Sequence, residues 1–223
     1  MTPAPSDHQL LRRHMTAERA GRLEEVLAGR TDRLIVVGEN LYDPHNFSAI
    51  LRSAEAFGVQ EVQLTGSCPS ELNPDIAIGA ERWLTLSREP DPEACMNALR
   101  NRGYAIAAAA LVPGAVHPDE WDPPGRTALF VGNEHEGLSP AVLGGADVAL
   151  KLPLAGFTRS LNVSVAAALL MSTLLRKRSF SRRGLPPERA EALRNEWARK
   201  AVEHSEVILR RMRLQDETAK RST

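Results

Sequence analysis

From RLIVVGEN onward the chain alternates short β-rich runs with helix-patterned runs, and that alternation constrains the fold more than any other feature. Candidate strands fall at 34–37, 61–64, 104–109, 128–131 and 148–152. Between them, 46–57 and 92–102 repeat apolar residues at helical spacing, and each is followed by the glycine that suits a helix end, Gly58 and Gly103. Strand and helix in turn predict an α/β fold, a mostly parallel sheet with helices on both faces. The run 160–178 is apolar nearly all round in its first half, which predicts a buried helix.

The ends read differently. The first fifteen or so residues, with Pro3 and Pro5, resemble a loose arm leading into a helix over 16–30 with Leu23, Val26 and Leu27 on one face. A last helix is expected over 188–212, with Leu193, Trp197, Ala201, Ile208 and Met212 as a stripe that must pack on its own core or on a second subunit. The expected division is a helical arm at 1–30, a central domain at 31–180 and a helical extension at 181–223.

Ligands of open α/β sheets gather at the carboxyl ends of the strands, so the polar residues just after each strand are the candidates. Three segments break the pattern there. In YDPHNFSAILRSAEAFGV, Asn46 can cap the helix and Arg52 lies off its apolar stripe. ALFVGNEHEGLSP ends a strand in a polar turn from Gly132 to Gly137 that holds Asn133 and Glu134. In LKLPLAGFTRSLNVSVAAALL, Ser160 and Asn162 stand at the start of the buried helix, where they can cap it or present its positive end to an anion. Each segment also has a purely architectural reading as a cap, a turn or a surface cation.

Several chemistries lose ground. There is no G-x-G-x-x-G after the first strand, no phosphate loop and no G-x-S-x-G elbow. The six histidines form no H-x-x-x-H pattern, and Cys68 and Cys95 have no metal-ligand spacing, so no metal is expected. With 28 basic against 28 acidic residues, the chain has no uniformly basic surface. Basic residues nonetheless cluster around Arg12, Arg19, Arg22 and Arg30, at Arg176 to Arg178, at Arg182-Arg183 and at Arg210 to Arg213. No run approaches the roughly 18 apolar residues of a membrane span, and the start lacks an apolar signal segment, so the expected setting is the cytoplasm, with no membrane partner.

Taken in order, N-F-S-A-I-L-R, F-V-G-N-E-H-E-G-L-S and L-P-L-A-G-F-T-R-S-L-N-V-S-V-A-A-A resemble the three motifs of the SpoU/TrmH family of RNA 2'-O-ribose methyltransferases, with similarity running from about Thr16 to Arg178. The resemblance implies a C-terminal deep trefoil knot of the SPOUT fold, a homodimer, and S-adenosylmethionine as methyl donor. It assigns the donor site to Ala110, Leu111, Gly132, Asn133, Glu134, Leu152, Leu154, Ser160, Leu161 and Asn162. It assigns catalysis to Arg52, assisted by Asn46, Glu134, Ser160 and Asn162, and an RNA-binding track to Arg19, Arg22, Arg30, Arg52, Arg176 and Arg178.

The run from Glu39 to Asn46 and the two helical ends resemble the tRNA branch that methylates guanosine 18 of the D-loop, whereas N-E-H-E-G-L-S also resembles ribosomal-RNA members. The implied partner is therefore tRNA, with 23S ribosomal RNA as the enzymatic alternative. A catalytically silent RNA-binding dimer and a small-molecule-binding α/β protein are the readings from other classes.

Overall fold

The computed structural model describes residues 5–68, 71–133, 135–180 and 184–221, with side chains described as far as Gln215. In chain order its principal elements are α1 (Asp7–Leu11), α2 (Ala17–Ala28), β1 (Thr31–Glu39), α3 (Pro44–Phe57), β2 (Val59–Thr65), α4 (Pro74–Ala77), β3 (Thr85–Glu89) and α5 (Pro92–Asn101). They continue as β4 (Ala105–Ala109), β5 (Thr127–Val131), α6 (Pro140–Gly145), β6 (Val148–Leu150), α7 (Val163–Leu175), α8 (Pro187–Ala201) and α9 (Ser205–Arg221). They fall into two compact units, Thr31–Arg183 on one hand and Met1–Arg30 with Gly184–Thr223 on the other.

The larger unit is built on a six-stranded sheet in the order β3-β2-β1-β5-β4-β6, and every pairing in it is parallel. Side chains alternate across a strand, and β1 shows the consequence. Leu34 and Val36 join a cluster with Ile50 and Leu51 of α3 and Leu170 and Leu174 of α7, while Ile35 and Val37 join Cys95 and Leu99 of α5 and Val142 of α6. Both faces are covered, so the central strands read as continuous apolar runs.

β3 is the element that the strand pattern does not reveal. It pairs with β2 alone, and Leu86, Ser87 and Arg88 at its centre are exposed. TLSRE therefore carries no apolar run, and its exposed charge suits an open sheet edge.

Two helix starts differ from expectation. α3 begins at Pro44, because Asp43 is the cap and its Oδ1 accepts from His45 N at 2.9 Å; Asn46 is an internal, buried residue of the first turn. Gly58 ends that helix in the left-handed region at φ 80°, where a side chain is strained. α7 begins at Val163 with Asn162 as its cap, so Ser160 lies outside the helix, and the helix stops at Leu175 rather than 178. Nor is α7 buried all round: Val165 and Leu169, four residues apart on one face, are 47% and 46% exposed.

The terminal unit is ordered from α1 onward rather than a loose arm. Ser6 and Gln9 form a reciprocal capping box, and Leu10 and Leu11 pack with Ala198, Val202 and Leu209. The expected single helix over 188–212 is two helices, interrupted at Val202 to His204, with His204 at φ 54°. Of the expected stripe, Leu193 and Trp197 are buried and Ile208 and Met212 are half-buried against the cluster, while Ala198, Val202 and Leu209 supply the buried positions around the break. α8 packs on α1 and α2 of the same chain: Asn195 Oδ1 accepts from His8 N at 2.8 Å, and Arg194 Nε meets Glu24 Oε1 at 2.8 Å. Among the described residues no helix is long and apolar enough to cross a membrane.

Candidate functional site

The carboxyl ends of the neighbouring strands β5, β4 and β6 enclose a cavity of about 310 Å³, within the roughly 300–1,000 Å³ range of small-molecule pockets. Ala110 and Leu111 after β4, Gly132 and Asn133 after β5, and Leu152, Leu154, Ser160 and Leu161 after β6 all line it. Val131, Leu138, Leu150, Val163 and Leu170 supply a buried apolar floor, while Leu111, Leu154 and Ser160 are exposed and stand at its mouth. An apolar floor of this kind suits a flat heterocycle, and polar groups at the mouth suit what is attached to it. Glu134, expected here, lies outside the described residues.

The turn after β5 is held by its own side chain. Asn133 Oδ1 accepts from His135 N at 2.9 Å and Glu136 N at 2.8 Å, and Asn133 O accepts from Gly137 N at 3.1 Å. Gly132 is required by close approach: a Cβ there would come within 2.2 Å of Gly137 backbone and 2.5 Å of Leu138 N. The turn continues into α6, whose cap Ser139 donates its backbone N–H to Oε2 of the fully buried Glu39 at 2.8 Å. Glu39, at the end of β1, thus anchors the wall of the cavity, a role that its place in the sequence does not disclose.

Asn162 is not a lining residue, although Leu161 and Val163 on either side of it are. Its Oδ1 accepts from Ser164 N at 2.8 Å and Ser164 Oγ at 2.6 Å, capping α7, and its Nδ2 donates to Asn46 Oδ1 at 2.8 Å. Asn46 Nδ2 in turn donates to Asp43 Oδ2 at 3.1 Å. The sequence reading offers each asparagine as a cap or a site residue; Asn162 is a cap that also reaches across to α3. Arg52 projects from α3 into solvent and does not line the cavity.

The expected basic track divides. Arg19, Arg22, Arg176 and Arg178 are exposed, with Arg22 paired to Glu25 at 2.8 Å. Arg30 is a correction: it is fully buried and its guanidinium lies 5.2 Å from the centre of the Trp197 ring, a cation–π contact inside the terminal unit rather than a surface cation. Arg182 and Arg183 lie outside the described residues. Among the described residues no three His, Cys, Asp or Glu side chains come together as a metal site would require.

Residues 33–172 match the SpoU rRNA Methylase family. The tRNA (guanosine(18)-2'-O)-methyltransferase of Thermus thermophilus is 38% identical over 84% of this chain and 100% of its own. The crystal structure of the A. aeolicus TrmH/SpoU tRNA modifying enzyme superposes with a TM-score of 0.75 at 34% identity, over 83% of this chain and 98% of that one. The SpoU methyltransferase AviRb from Streptomyces viridochromogenes, solved in complex with AdoMet, gives a TM-score of 0.60 at 28% identity, over 71% of this chain and 62% of that one. The sheet, the cavity at its carboxyl edge and these similarities agree: the chain belongs to the SpoU methylase family.

Proposed function

We propose that the protein transfers a methyl group from S-adenosylmethionine to a ribose 2'-oxygen of RNA, with guanosine 18 in the D-loop of tRNA as the target. The observation that carries this reading is the Asn162–Asn46 hydrogen bond, which ties the end of the cavity-lining segment to α3, the helix that bears Arg52. Similarity to the T. thermophilus tRNA enzyme over 84% of the chain, beyond the 33–172 methylase region, supports tRNA over ribosomal RNA.

The cavity fits the donor in its apolar floor, its volume and the tight turn at Gly132, which lets backbone close over the site. Ala110, Leu111, Leu152, Leu154 and Leu161 would hold the adenosine part, with Gly132, Asn133, Glu134 and Ser160 beside them. When bound, the donor supplies an electrophilic methyl group. Asn46 and Asn162 fix α3 against α7 and so set where Arg52 stands. The guanidinium of Arg52 presents a planar fork of N–H donors and no acceptor, so it serves as a clamp on the phosphate next to the target ribose, and that phosphate or water takes the hydroxyl proton. Holding the hydroxyl in line supplies much of the rate.

We read the segment after β6 as threaded through the β4–β5 connection in a deep trefoil knot. In support, Val116 of that connection brackets β6, donating to Ala149 O and accepting from Lys151 N, both at 3.0 Å. We read the protein as a homodimer, supported by the exposed Val165 and Leu169 on an otherwise apolar helix. Arg19, Arg22, Arg176 and Arg178 are assigned to the RNA, and two free cysteines fit a cytoplasmic setting.

The test is methyl transfer from labelled donor to unmodified tRNA and to ribosomal RNA, with the product nucleotide mapped and Arg52→Ala alongside. A methylated D-loop guanosine, reduced at least a hundredfold or so by Arg52→Ala, is the expected result. Labelling of ribosomal RNA alone would overturn the target, and no labelling of either RNA would overturn the reading.

A further inference from the structure

Among the described residues that line the cavity, two are ionisable and of opposite sign, and none of the others carries a charge. Glu136 comes from the turn after β5, and Lys151 is the first residue after β6. Both are exposed although both line the cavity, so they stand at its mouth, above the floor of Val131, Leu150 and Leu170. Neither side chain has an ion-pair or hydrogen-bond partner among the described residues.

Backbone contacts determine where each begins. Glu136 N donates to Asn133 Oδ1 at 2.8 Å, and Lys151 N donates to Val116 O at 3.0 Å. The stems are thus anchored and the charged ends are left unengaged. A cation and an anion that share one pocket without pairing are arranged to meet a ligand carrying both signs.

We infer that Lys151 and Glu136 are recognition residues for the amino-acid end of the ligand: Lys151 meets an α-carboxylate and Glu136 meets an α-ammonium group, while the apolar floor takes the heterocycle. This rests on the reading of the cavity as the S-adenosylmethionine site and deepens it, because that donor carries a zwitterion at one end and an adenine at the other. The division also gives the pocket a basis for rejecting adenosine and its nucleotides. Adenosine leaves both charges unmet, and a nucleotide, which brings an anion and no ammonium group, leaves Glu136 unmet.

Calorimetric titration tests this with three ligands that differ only at that end: S-adenosylhomocysteine, its decarboxylated analogue, and 5'-methylthioadenosine, which lacks both charged groups. Lys151→Met is expected to weaken S-adenosylhomocysteine about three- to tenfold and to leave the other two unchanged. Glu136→Gln is expected to weaken the first two by a similar factor and to leave 5'-methylthioadenosine unchanged. Unaltered binding of 5'-methylthioadenosine also shows that each variant keeps a folded pocket.

Equal losses for all three ligands, or no loss for any, would overturn the inference, since either pattern means that the charges do not read the zwitterion. If wild-type protein binds none of the three, the donor reading itself falls and takes the inference with it. Binding by wild type without discrimination in the variants removes the inference alone.

Discussion

Asn162 Nδ2 donates to Asn46 Oδ1 at 2.8 Å, joining residues 116 positions apart in the chain. One side chain therefore both caps α7 and locates the first turn of α3. The two functions separate by substitution. Asn162→Asp keeps an acceptor for Ser164 N but loses the donor to Asn46, so it should melt within about 1 kcal/mol of wild type and lose most methyl transfer. Asn162→Ala should lose activity and a further ~1 kcal/mol of stability with the cap. Thermal denaturation and transfer assays on the pair check this; an active Asp variant would detach the bond from catalysis.

Gly132 and Gly144 make a matched comparison. A Cβ at Gly132 collides with backbone of Gly137 and Leu138, which cannot rotate away, whereas at Gly144 nothing lies within 4 Å. Gly132→Ala should cost about 1–3 kcal/mol and abolish donor binding by opening the turn. Gly144→Ala should leave binding intact and raise stability by up to about 1 kcal/mol, because it replaces glycine within α6. Calorimetry and melting of both variants are the measurements.

Glu39 is fully buried, and its carboxylate receives Ser139 N at 2.8 Å. Glu39→Ala removes the acceptor and should lower stability by about 1–3 kcal/mol and weaken donor binding, since the 132–139 wall loses its anchor. Glu39→Gln retains an amide oxygen and should restore most of the binding. Equal binding by wild type and Glu39→Ala would remove the anchoring role.

Asp7 gives the terminal unit a pH dependence. Burial raises its carboxyl pKa, but hydrogen bonds and charge from Arg199 and Arg213 outweigh that and hold it below the ordinary value of 3.8. A depressed carboxyl contributes stability that is fully present above its unfolded pKa and lost as pH falls through the folded one. Amide protection factors over residues 7–11, taken relative to the intrinsic exchange rate at each pH, should therefore fall from about pH 4 downward. Asp7→Asn should show fast exchange already at neutral pH, with a flatter acid profile.

Local chemistry determined much of this protein at the level of sequence. The strands β1, β4, β5 and β6 are visible because burial on both sheet faces demands near-continuous apolar runs, and Gly58 marks the end of α3 because a left-handed cap favours a residue without a side chain. The three motif segments are visible because each departs from the pattern that its element requires. What depends on distant neighbours had to wait for the tertiary structure. β3 is a strand through its pairing with β2, not through its residues, and Arg30 is buried because Trp197 arrives to cover it. The break at Val202–His204 lets α9 place Leu209 against α1. Asn46 and Asn162 each read as a helix cap in isolation; only the packing of α3 on α7 places one side chain against the other, because a hydrogen bond across 116 residues leaves no periodic trace in either segment.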